Sequence, residues 1–412
     1  MPSRVVIVGA SLGGLRSAEA LRRAGFGDEI VVVGAEKHLP YNRPPLSKEV
    51  LAAGISHTAV AFPMRASVSD VTWRLGVPAT DCDIDRRVLT LADGATLDYD
   101  GLVIGTGLRS RRLTVPGPPP TVAAGRHSLR TLDDAAALRA ELVGGGRVVV
   151  LGAGFIGCEV AATARTLGCE VTAVAIDPYP MVRPLGALLG AQMQHRHEAH
   201  GVQFRLGVGV TAFQGKDKVT GVELSTGEVL PADVVVEAIS SHCNTEWLAG
   251  TDLDLTDGVL CDNTLRAHRV DGSPVDGVHA VGDLARFPNP LFDNVPRRVE
   301  HWNIPTETGK RVGPALAAYL AGDGYAAAVA SEFAPLPAFW SDQFEMRLQS
   351  FGAPGLAGPD DIRILEGDIE DEVVVGYHQG ERLMGVVGIG MLKAVMGYRS
   401  AIGHPLPETP HS

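Results

Sequence analysis

Close cysteine pairs, long apolar runs and an excess of basic residues are all missing from this sequence. The chain has five cysteines in 412 residues, and no two of them stand in C-x-x-C or another close spacing. This spacing argues against a structural disulfide, a zinc site and a local redox dithiol, and we expect no metal. The cysteines are expected to be small buried residues: Cys82, Cys158, Cys169, Cys243 and Cys261.

The charge balance and the apolar runs argue against two further classes of protein. The formal net charge is −12, from 36 basic and 48 acidic residues, whereas general nucleic-acid binding needs a basic surface. No stretch approaches the ~18 uninterrupted apolar residues of a membrane span. The first predicted strand starts at Arg4, which leaves no room for a signal peptide, so we expect a cytoplasmic protein.

The chain is rich in glycine, much of it placed between short apolar runs. There are 49 glycines, with 45% hydrophobic and 20% charged residues, a composition typical of a globular protein. A length of 412 residues exceeds one ordinary core and indicates two or three domains. Short apolar runs that end in glycine turns are typical of α/β folds.

The first of two glycine-rich turns lies near the N-terminus. Residues 4–8 form an apolar run that ends at Gly9, and the Ala/Leu/Arg-rich run that follows predicts a strand, a tight turn and a helix. Such a turn points helix-terminal N–H groups at a pyrophosphate. Gly9 permits the sharp turn, and Gly13 or Gly14 permits close packing of the helix. Ser11 replaces the middle glycine, and its small side chain still allows phosphate to approach.

The same arrangement recurs in the middle of the chain. After the apolar run 147–151, Gly152, Gly154 and Gly157 complete a G-x-G-x-x-G pattern before a helix-like run. Two such turns in one chain predict two nucleotide cofactors.

Acidic residues follow the second strand of each repeat. Glu36 comes just past the predicted strand 30–33, where an acid can accept both hydroxyls of an adenosine ribose. In the second repeat Ala175 stands where an acid is expected, the nearest acid is Asp177, and the first arginine beyond it is Arg183. An acidic neighbour favours NADH over NADPH, because the 2′-phosphate of NADPH prefers a cation.

A proline-rich segment over residues 40–48 carries two cations. Its prolines predict an extended, stiff segment before a helix that begins near Ser47. Arg43 and Lys48 in this segment place a cation beside a cofactor, or they are surface charges on a connection. A second Pro- and Gly-rich stretch, residues 111–125, predicts a domain crossing.

The second half of the chain adds three features. Residues 278–283 predict a strand that ends in Gly-Asp, where Asp283 binds a polyol hydroxyl or caps a helix. Pro305 is placed to start a helix over 300–320, whose N-terminus can stabilise negative charge on a reduced cofactor. Beyond it, β-like runs predict an antiparallel sheet with a closing helix near 391–401.

Taken in order, these motifs resemble the FAD-dependent, NAD(P)H-using ferredoxin reductases of oxygenase systems, of the putidaredoxin-reductase, biphenyl-dioxygenase-reductase and rubredoxin-reductase type. The likeness covers almost the whole chain. Six landmarks carry it: residues 9–14, residues 40–48, the second glycine turn at 152–157, Gly282-Asp283, Arg298-Val299-Glu300-His301-Trp302, and Phe339-Trp340-Ser341-Asp342-Gln343. One glycine turn would be a weak signal, whereas six landmarks in order are a strong one.

The resemblance implies an α/β fold with two Rossmann-like dinucleotide-binding domains, glutathione-reductase-like, and a C-terminal α+β domain. It places an FAD-binding domain at residues 1–115 and 241–324, an NAD(H)-binding domain at 116–240, and a C-terminal interface domain at 325–412. It implies FAD as cofactor, NADH or NADPH as electron donor, and a small iron–sulfur ferredoxin as partner. The implied reaction is hydride transfer from NADH to N5 of FAD, followed by two single-electron steps to the ferredoxin.

The resemblance also implies roles for residues by position. Those near FAD are Gly9, Ser11, Gly13, Glu36, Arg43, Lys48, Val77, Thr106, Gly107, Arg130, Asp283 and Trp302, and Trp340 joins Trp302 in walling the flavin. Those at the nicotinamide nucleotide are Gly152, Gly154, Gly157, Glu159 and Asp177. Lys48, close to flavin N5 and paired with Glu159, is expected to tune N5 as charge accumulates, so these two are the predicted catalytic residues.

Two further features bear on the flavin and on the partner. The sequence carries Pro305 and Thr308 where relatives often have alanine and glutamine, a change at the pyrimidine edge of the flavin. Ferredoxins are usually acidic, and so is this chain, so docking needs a local basic patch. The candidate patch is Arg297, Arg298, Lys310 and Arg311.

Other functions compete with this one. A flavin disulfide reductase needs a cysteine beside the flavin, and the first cysteine, Cys82, lies well beyond residues 41–48. An NAD(P)H oxidase or quinone reductase stays open, and so does a flavin-bound redox sensor of the apoptosis-inducing-factor type. The sequence shows no basic tail or targeting segment that would support the sensor.

Overall fold

A computed structural model of the chain describes residues 2–325, 331–358 and 361–405. Of the predicted C-terminal domain, residues 326–330, 359–360 and 406–412 lie outside the described part. The chain divides into two units. The first unit comprises Met1–Asn42, Val60–Arg109 and Cys243–Pro337. The second unit comprises Arg43–Ala59, Ser110–His242 and Ala338–Ser412.

The first unit is built on a six-stranded sheet. In spatial order its strands are Arg266–His268, Pro274–Ala280, Gly101–Ile104, Arg4–Val8, Glu29–Gly34 and Thr72–Leu75. Neighbouring strands are parallel, except that the edge strand Arg266–His268 runs antiparallel to its neighbour. Val5, Val6, Ile7 and Val8 are buried, as expected for a central parallel strand that is covered on both faces.

Two long helices of the first unit, Leu12–Arg23 and Ile304–Ala321, pack against each other. The two helices approach closely because Gly313 has no side chain. A Cβ at Gly313 would lie only 2.3 Å from the Cβ of Ala20. Pro305 lies in the first turn of the second helix, as predicted from its fixed φ and missing N–H.

Smaller elements complete the first unit. One three-stranded antiparallel sheet is formed by Ala79–Asp83, Val88–Leu91 and Thr96–Asp98. A second three-stranded sheet is formed by Val259–Leu260, Ala285–Asn289 and Asp293–Arg298. Single 3₁₀ turns are Ala66–Val68, Glu246–Leu248 and Gly282–Leu284. The strands Leu108–Ser110 and Ser241–Cys243 and the helix His57–Val60 lie where the chain passes from one unit to the other.

The second unit contains a five-stranded parallel sheet. Its strands in spatial order are Gln203–Leu206, Glu170–Ala175, Arg147–Leu151, Val234–Glu237 and Arg126–His127. Its helices outside the C-terminal region are Glu49–Ala53, Leu132–Leu142, Phe155–Thr166 and Val182–Ala199. Thr131 and Asp134 form a reciprocal capping box that starts the helix Leu132–Leu142. A small antiparallel sheet, Val210–Gln214, Gly221–Leu224 and Val229–Pro231, and the 3₁₀ turns Pro44–Ser47 and Val122–Ala124 complete this part.

The C-terminal region of the second unit is a five-stranded antiparallel sheet. Its strands in spatial order are Ala338–Gln343, Met346–Gly352, Arg382–Ile389, Val373–Gln379 and Ile362–Gly367. The helix Leu392–Gly397 follows, with 3₁₀ turns at Pro354–Leu356 and Arg399–Ala401. The predicted antiparallel sheet and closing helix are confirmed, but the sequence analysis missed the strands Ala338–Gln343 and Met346–Gly352.

The α/β class predicted from the sequence is confirmed by the two parallel sheets. Among the described residues, no helix combines the length and the apolar character that crossing a bilayer requires.

Candidate functional site

The first glycine turn lies in the first unit, between the first strand and the first helix. Gly9 has a φ of +132°, and a Cβ there would lie 2.0 Å from the carbonyl oxygen of Gly105. A Cβ at Gly14 would lie 2.1 Å from the carbonyl oxygen of Gly9. A Cβ at Gly13 would have the Cγ2 of Val281, at 3.2 Å, as its nearest neighbour. Of the two glycines that the sequence left open, Gly14 is therefore the one that lets the helix approach the strand.

Ser11 stands at the N-cap of that helix. Its backbone is extended, with φ −128° and ψ −164°, and its side chain makes no capping hydrogen bond to a described residue. The hydroxyl therefore leaves the N–H groups of the first turn to an anion, which a helix N-terminus binds well. The first glycine turn fits a pyrophosphate.

Glu36 and Val77 meet at the end of the second strand of the first unit. The N–H of Val77 donates to the carbonyl oxygen of Gly34 at 3.0 Å, and that of Gly76 donates to the carbonyl oxygen of Glu36 at 2.9 Å. The hydroxyl of Tyr41 donates to the Glu36 carboxylate at 2.5 Å. Tyr41, which the sequence analysis did not single out, thus orients the predicted ribose acid.

Thr106 and Gly107 follow the strand Gly101–Ile104 and join the segment at Asn244. The Thr106 hydroxyl donates to the carbonyl oxygen of Asn244 at 2.6 Å, and the Asn244 N–H donates to that of Gly107 at 2.9 Å. This pairing places both predicted residues at the carboxyl end of a central parallel strand, where ligands bind in open α/β sheets.

Asp283 lies in the turn Gly282–Leu284, at the carboxyl end of another strand of the same sheet. The N–H of Gly282 donates to the Thr308 hydroxyl at 3.0 Å, and that hydroxyl donates to the carbonyl oxygen of Ile304 at 2.6 Å. Thr308, a departure from the resembled family, therefore ties the helix Ile304–Ala321 to the Asp283 turn.

Trp302 is an exposed aromatic residue, with 39% of its surface accessible to solvent. Its indole N–H donates to the side-chain oxygen of Asn42 at 2.9 Å. Trp340, the other predicted aromatic, lies in the strand Ala338–Gln343 of the second unit and is partly buried.

The second glycine turn repeats the steric pattern of the first. Gly152 has a φ of +97°, and a Cβ there would lie 2.2 Å from the carbonyl oxygen of Ala238. A Cβ at Gly157 would lie 1.9 Å from the carbonyl oxygen of Gly152. Gly154 has no described atom within 4 Å of its Cβ position, so the space beside it is open. This space fits the phosphates of a nucleotide at the start of the helix Phe155–Thr166.

Asp177 follows the strand Glu170–Ala175 and does not stand alone. The Arg183 guanidinium lies 3.0 Å from its carboxylate, and the Arg183 side chain is 71% exposed. Ile176, between Ala175 and Asp177, is 68% exposed. The end of this strand therefore carries an acid and a cation together, which the sequence spacing did not predict.

Arg43 and Arg130 contact each other in the second unit. The Arg43 guanidinium donates to the carbonyl oxygen of Arg130 at 2.7 Å, and the Arg130 N–H donates to the Asp134 carboxylate at 3.0 Å. The contact joins the proline-rich segment to the start of the helix Leu132–Leu142.

Lys48 and Glu159 form the predicted ion pair in the second unit. The Lys48 ammonium lies 2.7 Å from Oε2 of Glu159, and the two side chains are only 12% and 7% exposed. The hydroxyls of Ser47 and Ser341 donate to the two oxygens of the same carboxylate, each at 2.5 Å. A buried carboxylate needs such donors, because burying an unpaired charge is costly. Neither serine was predicted to contact Glu159, although Ser47 lies in the landmark 40–48 and Ser341 lies in the landmark 339–343.

A protein-family model described as pyridine nucleotide-disulphide oxidoreductase matches residues 3–309, and one described as reductase C-terminal matches residues 338–412. The chain belongs to the pyridine nucleotide-disulphide oxidoreductase family. It is an oxidoreductase, and its cofactors are FAD and NADH or NADPH.

Curated and solved members of this oxidoreductase family align along nearly the full chain. Rhodocoxin reductase of Rhodococcus erythropolis is 33% identical over 410 residues, covering 98% of this chain and 91% of the relative. The ferredoxin–NAD(+) reductase component of the anthranilate 1,2-dioxygenase system of Burkholderia cepacia is 36% identical over 377 residues, covering 88% and 84%. The crystal structure of the covalent putidaredoxin reductase–putidaredoxin complex matches with a TM-score of 0.88 and 31% identity, covering 99% of this chain and 94% of that chain.

The cysteines of this pyridine nucleotide-disulphide oxidoreductase are poorly suited to thiolate chemistry. All five are free, and four are buried. Burial raises the pKa of Cys82 to about 11 and raises the pKa values of Cys158 and Cys261 further. A thiol with such a pKa is protonated near neutral pH and is a weak nucleophile. Within the described ranges, no group of three or more His, Cys, Asp and Glu is arranged to hold a metal.

The four cations of the predicted docking patch are engaged within the first unit. Arg297 contacts Asp293 at 2.5 Å, Arg298 contacts Asp257 at 2.6 Å and Glu300 at 2.7 Å, and Lys310 contacts Glu307 at 2.8 Å. Arg311 donates to the backbone of Asn263 at 3.2 Å. Three of the four cations are therefore halves of ion pairs, which reduces the positive field that the patch presents.

Proposed function

We propose that this oxidoreductase passes electrons from NADH or NADPH, through FAD, to a small iron–sulfur ferredoxin that serves a P450 or another oxygenase. The observation that carries the proposal is the repeated steric fit of two glycine turns, with Gly14 against Gly9 and Gly157 against Gly152. The similarity to rhodocoxin reductase and to a ferredoxin–NAD(+) reductase component supports the partner class. Bound FAD supplies the chemistry, because it accepts two electrons from a nicotinamide and releases them singly.

We propose for each domain the role that the resemblance implies. Residues 1–115 and 241–324 bind FAD, residues 116–240 bind the nicotinamide nucleotide, and residues 325–412 form the interface domain. We place the enzyme in the cytoplasm, where NADH is available as the donor.

The chain's own residues bind and orient the cofactors in this proposal. FAD is held by Gly9, Ser11, Gly13, Glu36, Arg43, Lys48, Val77, Thr106, Gly107, Arg130, Asp283 and Trp302. The nucleotide is held by Gly152, Gly154, Gly157, Glu159 and Asp177. Lys48 keeps a positive charge at the reacting edge of the flavin, and Glu159 fixes the position of that ammonium through their 2.7 Å contact.

The ferredoxin is proposed to dock near Arg297, Arg298, Lys310 and Arg311. An acidic partner can compete with the carboxylates that Arg297 and Lys310 contact, since exposed ion pairs are weak. The encounter should then depend on ionic strength, because added salt screens surface charges beyond about 8 Å at physiological concentration.

The first test is an anaerobic visible titration of the purified chain with NADH and then with NADPH, followed by a ferredoxin panel. We expect flavin absorption that bleaches with the nucleotide and returns with a ferredoxin, at a rate that falls as salt rises. A colourless chain that FAD cannot reconstitute would refute the proposal. If neither nucleotide bleaches the flavin, the reductase assignment is refuted. Fast turnover without ferredoxin would indicate an oxidase. A ferredoxin reduction rate that does not depend on salt would refute the proposed docking patch.

The ion pair of Asp177 and Arg183 predicts a measurable nucleotide preference. Asp177→Asn should raise the ratio of kcat/KM for NADPH over NADH by about tenfold, because the 2′-phosphate no longer meets a carboxylate and gains an unpaired Arg183. Arg183→Ala should lower the same ratio. Steady-state kinetics with both donors give the ratio, and Lys216→Ala, at an exposed position of the same unit, is the control. An unchanged ratio in both variants would show that this pair lies away from the ribose.

A further inference from the structure

In the second unit, a series of buried polar side chains joined by hydrogen bonds ends at the Glu159 carboxylate. The Ser341 hydroxyl donates to Oε1 of Glu159 at 2.5 Å, and the side-chain amide of Gln343 donates to the Ser341 oxygen at 2.9 Å. The side-chain carbonyl oxygen of Gln343 lies 2.7 Å from Nε2 of His197. Ser341 and His197 are fully buried and Gln343 is 1% exposed. The proposed function gives no role to these three residues.

The hydrogen bonds of this series, from His197 to Glu159, all have the same donor direction. Because the Ser341 hydrogen goes to a carboxylate, the Ser341 oxygen accepts from the amide of Gln343. The Gln343 oxygen must then accept, so Nε2 of His197 carries the ring hydrogen. The amide of Gln343 also points a hydrogen at the sulfur of Met181, at 3.6 Å. Each hydrogen bond that links His197, through Gln343 and Ser341, to Glu159 therefore donates toward the carboxylate.

His197 lies at the other end of this hydrogen-bonded series and is held there by packing. Its ring packs edge-on against Phe204 and Phe344, with centroid distances of 6.0 and 5.2 Å. Its Nδ1 has no hydrogen-bond partner within the described residues. Burial lowers the pKa of His197, so the ring is neutral near pH 7 and keeps a fixed tautomer.

We propose that Ser341, oriented by Gln343 and His197, is a positioning residue that holds the Glu159 carboxylate against Lys48. The two carboxylate oxygens have different partners. Oε2 contacts Lys48 and Ser47, and Oε1 accepts the hydrogen bond from Ser341. Without Ser341, Oε1 loses that donor and the carboxylate can turn. The amide of Gln343 does not transfer protons, so these hydrogen-bonded side chains fix the position of the Glu159 carboxylate and do not supply protons to it. The inference rests on the proposed function, in which Lys48 and Glu159 act at FAD.

The test is a double-mutant cycle between Ser341→Ala and Glu159→Gln. Two quantities are measured on the FAD-loaded chain: the midpoint potential of FAD and the free energy of unfolding in urea. Each single change should raise the potential, because Glu159→Gln removes a negative charge and because a carboxylate that Ser341 no longer holds turns away from Lys48 and neutralises the ammonium less. In the double variant the Ser341→Ala shift should disappear in both quantities. Ser341→Ala should also slow FAD reduction at saturating NADH about fivefold to tenfold, as mispositioned groups do.

Matched variants separate positioning from packing. Ser350→Ala removes another fully buried hydroxyl of the same sheet, one with no hydrogen-bond partner in the described ranges, and should leave the potential unchanged. Ser341→Thr keeps the hydroxyl and should restore the potential, while Gln343→Leu should reproduce the Ser341→Ala shift.

The outcomes distinguish this inference from the proposed function. Additive shifts in the double variant, or an equal shift in Ser350→Ala, would overturn the positioning role while leaving the reductase function intact. A wild-type chain that binds no FAD would refute the proposed function, and the unfolding cycle would still test whether Ser341 acts through Glu159.

Discussion

Gly14→Ala is expected to disrupt the first unit and to abolish FAD binding, whereas Gly13→Ala should leave the stability of the unit nearly unchanged. A Cβ at Gly14 would lie 2.1 Å from the carbonyl oxygen of Gly9 and 3.2 Å from the Cγ2 of Ile7. A backbone oxygen cannot move aside without separating the helix from the strand, so the expected loss of stability exceeds about 4 kcal/mol. The same shift would open the turn that is proposed to hold the pyrophosphate.

Gly13→Ala, at the neighbouring position, is the matched control. The nearest atom to its Cβ is a side-chain methyl carbon of Val281, at 3.2 Å, which has to give by only a few tenths of an ångström. Alanine is also the better helix former, by about 1 kcal/mol, so the net change in stability should stay within about 1 kcal/mol of zero. The ratio of FAD to protein by absorbance and urea unfolding of the purified chains measure both effects. Full flavin occupancy and unchanged stability of Gly14→Ala would contradict the steric argument.

Lys48→Met is expected to slow the reduction of bound FAD by NADH on the order of 100-fold, because a preorganised charge at the reacting edge is removed. The same change should lower stability by about 3 kcal/mol, since it leaves the buried Glu159 carboxylate without its cation. Stopped-flow absorbance measures the first effect and urea unfolding the second. Lys216→Met, at an exposed position of the second unit, should change neither.

The double variant Lys48→Met with Glu159→Gln separates catalysis from stability. Neutralising both partners removes the unpaired charge, so most of the lost stability should return. The rate should stay low, because the ammonium is still missing. Recovery of the rate together with the stability would show that Lys48 is a structural residue only.

Local signals explain why so much of the fold could be predicted. An apolar run that ends in glycine before a helix-forming run identifies a strand, a turn and a helix without long-range information, as at Gly9 and Gly152. Pro305 marks a helix start by its own geometry. The strands Ala338–Gln343 and Met346–Gly352 were missed because strand propensity depends on the pairing context, which here is their pairing with each other and that of Met346–Gly352 with Arg382–Ile389.

Which glycine is sterically required was decided only in three dimensions. Gly13 and Gly14 are equivalent in a sequence, but only one faces the carbonyl oxygen of Gly9. The cation beside Asp177 came from Arg183 on the next helix, whose approach depends on how that helix begins. Likewise, the docking cations met carboxylates that spacing alone does not bring to them, such as Asp257 at Arg298.

The amino-acid sequence by itself determined the α/β class, the two glycine turns and the pairing of Lys48 with Glu159. It could do so because each glycine turn is a local pattern and because the whole ordered set of landmarks resembles one family. The tertiary structure alone decided what surrounds the Glu159 carboxylate. Ser341 and His197 lie far from Glu159 along the chain, and only the packing of a strand and a helix in the second unit brings their polar groups into one line.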